Sequence, residues 1–289
     1  MKLLRDRLDH AARASGVPLD VIQKDYALSH VLVGLASQRA LAETLVLKGG
    51  TALKKYFFGD YRFSEDLDFS TCDAPRGAEL EPALDAAMEA AIKSLQGYGP
   101  FSVEMQRVRH RGPHPKGQED FSVSVRFPWQ TLVGTKIKLE ITHDEPVVLE
   151  PEPRDLIHEY GEQLAATLPC YRVDEIAAEK LRSLRQTDKK LAERGWNKPR
   201  ARDYYDLWRV LGAYAGVLKK DAMPALLQKK CAHREVAYEN LDDFFTERLV
   251  SEARANWESN LGKFVKNLPP CDQVLKELRV MLSKVLNLP

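Results

Sequence analysis

The stretch Leu47–Ser70, LKGGTALKKYFFGDYRFSEDLDFS, decides how the first half of this 289-residue chain is read. The apolar run LVLKGG predicts a short buried strand that the glycines stop. TALKKYFFG predicts a helix starting at those glycines, and DLDFS a second strand. Asp66 and Asp68 are two residues apart. On a strand both carboxylates therefore share one face, while Leu67 and Phe69 point to the core. Two like charges side by side cost stability unless a cation lies between them. Hard divalent ions such as Mg2+ take such oxygen ligands. Paired ions ~3.5–4 Å apart serve enzymes that move phosphoryl or nucleotidyl groups. A bare Asp-x-Asp is common, so the weight falls on its combination with the upstream turn.

That turn is Gly49-Gly50-Thr51. Glycines let backbone approach a ligand closely, and a helix start offers N–H groups to an anion. A triphosphate held there by Gly49, Gly50, the Thr51 hydroxyl and Lys54, with its metal on Asp66 and Asp68, would use both halves of the stretch. Such a site wants a further acid from a neighbouring strand. In GTKIKLEITHDEP, Ile137, Leu139 and Ile141 alternate with Lys136, Lys138, Glu140 and Thr142. Glu140 on the polar face is the third candidate ligand. Lys138 on the same face is either a solvated lysine or a phosphate contact.

The bulk numbers exclude more than they select. Apolar residues make up 44% and charged residues 29%, an ordinary globular composition. The net charge of +1 argues neither for nor against nucleic acid, which only local clustering can do. Cys72, Cys170, Cys231 and Cys271 lie far apart without a C-x-x-C pair, so a disulfide framework or thiolate zinc site is not expected, and a reducing cytoplasm fits. The charged N-terminus does not read as a signal peptide. No window approaches the ~20 apolar residues of a membrane span.

Helices are predicted at 3–14, 20–44 and 78–97. FSVEMQRVRH and FSVSVRFPW are strand candidates flanking RGPHPKGQED. Beyond about residue 155 the spacing is helical and no strand is predicted. The fold class is thus α+β, a mixed-sheet domain over 1–154 with N-terminal helices, then a helical domain over 155–289. Two basic stretches qualify as RNA surfaces. QRVRHRGPHPKG carries Arg107, Arg109, Arg111 and Lys116 with His110 and His114, and WNKPRAR carries Trp196, Lys198 and Arg200. A solvated hairpin and a partly packed indole are the plainer alternatives.

KGGTALKKYFFGDYRFSEDLDF closely resembles the first motif of the AbiEii/MenT family of bacterial toxins, in the nucleotidyltransferase superfamily with the DNA polymerase β fold. Gly49, Gly50, Asp66 and Asp68 fill the superfamily signature. IKLEI resembles the strand with its third carboxylate. EKLRSL at 179–184 resembles the second motif, with Lys180, and RARDYYDL at 200–207 the last, with Asp203. The resemblance implies a polymerase β-like nucleotidyltransferase, using NTP with Mg2+ or Mn2+. It implies the toxin of a toxin–antitoxin pair whose partner is an AbiEi/MenA-type protein, and transfer of a nucleotide to the 3′ acceptor end of tRNA. It implies catalytic roles for Asp66, Asp68, Glu140, Lys180 and Asp203.

On its own physics, Lys180 shares a helical stripe with Ile176 and Leu184, where a lysine either snorkels outward or has work to do. Asp203 and Asp206 both fall near a helix N-terminus, which favours acids. Rival readings of the same site are an NTP-dependent phosphotransferase acting on a protein or small molecule, and a nucleotide-binding module without catalysis.

Overall fold

The computed structural model describes residues 2–109 and 117–286. Two compact units divide between Tyr171 and Arg172. The first opens with α1 (Lys2–Ser15), α2 (Leu19–Ser37) and the single turn α3 (Arg39–Ala42). Then come β1 (Leu45–Lys48), α4 (Gly49–Ala52), a π-helical turn over Leu53–Phe57, and β2 (Asp66–Thr71). α5 (Glu81–Leu95), β3 (Ser102–Arg107), β4 (Gln118–Arg126), β5 (Thr135–Thr142), β6 (Glu152–Asp155) and β7 (Thr167–Cys170) complete it.

The described strands form one mixed sheet in the order β3-β4-β5-β2-β1-β7-β6. β1 runs antiparallel to β2, which runs parallel to β5. The alternation read in β5 is realised: Ile137, Leu139 and Ile141 are fully buried. Leu67 and Phe69 of β2 are buried with them, and α2 packs against β5. α2 lies close to α5 at Gly34, where a Cβ would come within 2.1 Å of the Ala87 carbonyl oxygen.

Two expectations change. The helical stretch predicted over 20–44 breaks at Gln38, whose backbone is extended. Strands do not end near 155, because β7 pairs with β1 and β6 with β7, so the sheet extends to Cys170. Both late strands are four residues long and contain a proline, too short to show a period of two.

The second unit is helical among its described residues: α6 (Val173–Arg194), α7 (Ala201–Tyr214), α8 (Met223–His233), α9 (Glu247–Leu261) and α10 (Cys271–Leu286). α7 packs on α6, α9 and α10, and α6 on α8. The four cysteines are free. No helix among the described residues is long and apolar enough to cross a membrane.

Candidate active site

The sheet register assembles the first-unit candidates. Lys48, the last residue of β1, is opposite Asp68 of β2, and Asp68 is opposite Glu140 of β5. Asp66 is opposite Lys138, and Asp120 of β4 opposite Glu140. Because side chains alternate along a strand, Asp66, Asp68, Lys138, Glu140 and Asp120 share one face of the sheet.

The glycine turn is fitted to this face. Gly49 has φ +73°, a conformation that costs other residues about 1–2 kcal/mol. A Cβ there would lie 2.7 Å from Asp68 Oδ2, so the missing side chain is also what lets the carboxylate approach. At Gly50 a Cβ would meet Arg62 Nη2 at 2.5 Å and Ser64 Oγ at 3.0 Å. Arg62 is buried beneath the turn and was not among the sequence candidates. Its signal was present in YRFSEDLD, where the only basic residue stands four positions before Asp66.

Two expected nucleotide contacts are committed to structure instead. Thr51 is fully buried, and its hydroxyl donates to the Asp66 carbonyl oxygen, tying the helix start to the strand. Lys54 donates to the Gly59 carbonyl at 2.6 Å and pairs with Glu159 at 2.8 Å. Its ammonium also lies 4.9 Å from the centre of the Phe63 ring.

Glu140 stands at the expected register, but its carboxylate is held by its neighbours. Lys138 Nζ lies 2.7 Å from Glu140 Oε1 and 3.7 Å from Asp120 Oδ2, and Gln118 Nε2 also donates to Glu140. Burial works against the Lys138 charge, yet Glu140, Asp120 and Asp66 outweigh it and hold the ammonium above its ordinary pKa. Among the described residues no three His, Cys, Asp or Glu side chains converge as a metal cage. Asp66 and Asp68 still fit a hard cation by chemistry and shared face, with Lys138 now supplying positive charge on that face.

In the second unit Lys180 bridges two acids, at 2.9 Å from Asp203 Oδ1 and 2.6 Å from Asp206 Oδ2. Asp206 is fully buried. Burial raises the Asp203 pKa, but Lys180 and Arg200 more than offset this and hold it below its ordinary value. Lys180 therefore does not snorkel into solvent; it is 8% exposed.

The RNA candidates separate. Arg107 is tied down, donating to Glu81 at 2.6 Å, Glu119 at 2.7 Å and the Gly77 carbonyl at 2.8 Å. Arg109 is exposed. Arg111 and Lys116 lie outside the described residues, as do His110 and His114. Lys198 is exposed, and Arg200 is half-buried against Thr187 and Asp203.

A mixed sheet that sets an Asp-x-Asp pair against a glycine turn marks the chain as a nucleotidyltransferase. Residues 30–278 match the family described as "Nucleotidyl transferase AbiEii toxin, Type IV TA system". The chain belongs to that family, the nucleotidyltransferase toxins of type IV toxin–antitoxin systems. Its fold is similar to that of MenT4, a nucleotidyltransferase toxin from Mycobacterium tuberculosis H37Rv. The two are 23% identical with a TM-score of 0.66, over 99% of this chain and 90% of that one. A search of curated proteins found no match.

Proposed function

We propose that this toxin transfers a nucleoside monophosphate from an NTP to the 3′ end of tRNA, with a divalent cation, Mg2+ or Mn2+, held by Asp66 and Asp68. The observation that carries the reading is the three-strand register, which puts Asp68 between Lys48 and Glu140 beside a left-handed Gly49. The bound ion would supply a Lewis acid for the triphosphate oxygens.

The chain's own residues do the positioning. Gly49 lets the Asp68 carboxylate come up against the turn. Thr51 fixes the distance between turn and strand through the Asp66 backbone. Glu140 is the residue to receive the acceptor hydroxyl's proton, and Lys138, 2.7 Å from it, would stand on the same face as positive charge for a phosphate oxygen. Catalysis of this kind is mostly placement and electrostatics. Lys180 enters the reading through its sequence motif, as the charge that offsets triphosphate or pyrophosphate, and Asp203 through its own, as the acid that fixes Lys180 by an ion pair. The family implies an antitoxin partner, and we propose the AbiEi/MenA type.

Asp68→Asn tests the assignment. It should lower transfer of label from NTP to tRNA by at least about a hundredfold, the loss of several kcal/mol of charge stabilisation. The variant should remain folded, with a cooperative melting curve, so that the loss is one of chemistry. Product mass identifies the chemistry: a gain of a nucleoside monophosphate supports the reading, and a gain of phosphate alone refutes it. Undiminished transfer by the pure variant would remove Asp68 from the metal site.

A further inference from the structure

The second unit displays an aromatic ring to solvent inside a cluster of cations. α6 ends at Gly195, whose φ of +75° turns the chain into the segment Trp196–Arg200 ahead of α7. Trp196 is 65% exposed, although a large aromatic side chain is ordinarily buried. The turn presenting it is built from specific bonds. Asn197 Nδ2 and Arg200 Nε both donate to the Thr187 hydroxyl, at 2.7 and 3.0 Å. Arg194 lies over the indole, 4.2 Å from its ring centre, and donates to the Trp196 carbonyl at 3.2 Å. The ring is thus held in place by Arg194 over one part of it while most of its surface stays open to solvent.

Most of the surrounding charge is positive. Lys190 is pushed below its ordinary pKa by burial, and then by Arg194, Arg200, Arg182 and Arg234. Acids answer part of this: Glu179 faces Arg182 at 3.6 Å and Asp203 faces Arg200 at 3.3 Å. Among the described residues, Lys190 and Arg194 have no acidic partner. Crowding of like charges is unfavourable until an anion arrives. An anion with several charges and flat faces suits both the cations and the indole, and single-stranded nucleic acid binds by that pairing of backbone charge and base stacking.

We infer that the elbow between α6 and α7 is an RNA-docking surface, with phosphates against Lys190 and Arg194 and an unpaired base stacked on Trp196. It rests on the proposed RNA acceptor for the choice of RNA as the polyanion.

The probe is a fluorescein-labelled RNA hairpin with an unpaired 3′ end, titrated without nucleotide and followed by anisotropy. Trp196→Ala should weaken binding roughly 5- to 150-fold, the span of one lost base stack, and Trp196→Phe should restore most of it. Lys190→Gln should lessen the slope of log affinity against log salt by about 0.7–0.9, one phosphate contact. RNA should also change tryptophan emission in the wild type and leave it unchanged in Trp196→Phe. Because Trp196 is exposed, both variants should unfold at the wild-type temperature. Wild-type affinity in Trp196→Ala and Lys190→Gln would overturn the surface while leaving the acceptor reading intact, provided transfer continues. RNA that binds here, with the predicted losses, yet receives no nucleotide would support the surface and refute the acceptor.

Discussion

Gly49→Ala isolates the closest approach in the candidate site. An alanine at φ +73° carries about 1–2 kcal/mol of left-handed strain. At roughly 2–4 °C per kcal/mol for a unit of this size, the unfolding temperature should drop by about 2–8 °C. The larger effect is on chemistry. The added Cβ would be 2.7 Å from Asp68 Oδ2, so the carboxylate must retreat by roughly 0.7 Å to reach ordinary contact. Misplacement by about 1 Å costs reacting groups on the order of a hundredfold. Transfer per folded molecule should therefore fall about 10- to 100-fold, read as kcat with labelled NTP after correcting for the folded fraction. Gly50→Ala is the stability control. Its Cβ meets the far ends of Arg62 and Ser64, which can shift, and its backbone is not left-handed, so it should melt closer to wild type. A Gly49→Ala enzyme with lowered melting temperature and full transfer would refute the claim that this glycine positions Asp68.

Other expectations concern the two units separately. Lys180→Met leaves Asp203 and buried Asp206 without their shared cation and should cost about 3–5 kcal/mol at pH 7 by urea unfolding. Asp203 is held below its ordinary 3.8, so in the wild type it stabilises the fold above that pH and ceases to as pH falls through the lowered value. The gap between variant and wild type should therefore hold at about pH 4 and narrow only below 3.8, as pH falls through the lowered value, and a gap independent of pH down to about pH 2.5 would contradict the pairing. Gly34→Ala pushes α2 against the α5 backbone, 2.1 Å from Ala87 O, and should cost about 1–3 kcal/mol by overpacking. Its transfer rate per folded molecule should match wild type, and undiminished stability would argue against so close a helix contact.

Much of the first unit was legible because its signals are local. The Gly-Gly stop, the period of two in β5 and the apolar partners of Asp66 and Asp68 each follow from a few adjacent residues. What stayed hidden depends on pairing across the sequence. Residues 167–170 form a strand by pairing with β6 and with β1, the latter more than a hundred positions earlier. Lys54 looks like a phosphate lysine until Glu159, 105 residues on, takes its ammonium. Thr51 likewise reads as a ligand hydroxyl, because nothing local says that the Asp66 carbonyl will accept from it. Lys180 was ambiguous on its stripe for the same reason: Asp203 and Asp206 lie on another helix.

Lys138 gives the carboxylate face a counter-charge of its own, within 4 Å of both Glu140 and Asp120. Part of the repulsion on that face is thereby answered by covalently tethered charge rather than by a dissolved ion. The protein's fold is therefore expected to stand in a chelating or ion-starved milieu. Its shape and its catalytic readiness then answer to different chemical supplies, and dialysis against a chelator should leave the melting curve where it was.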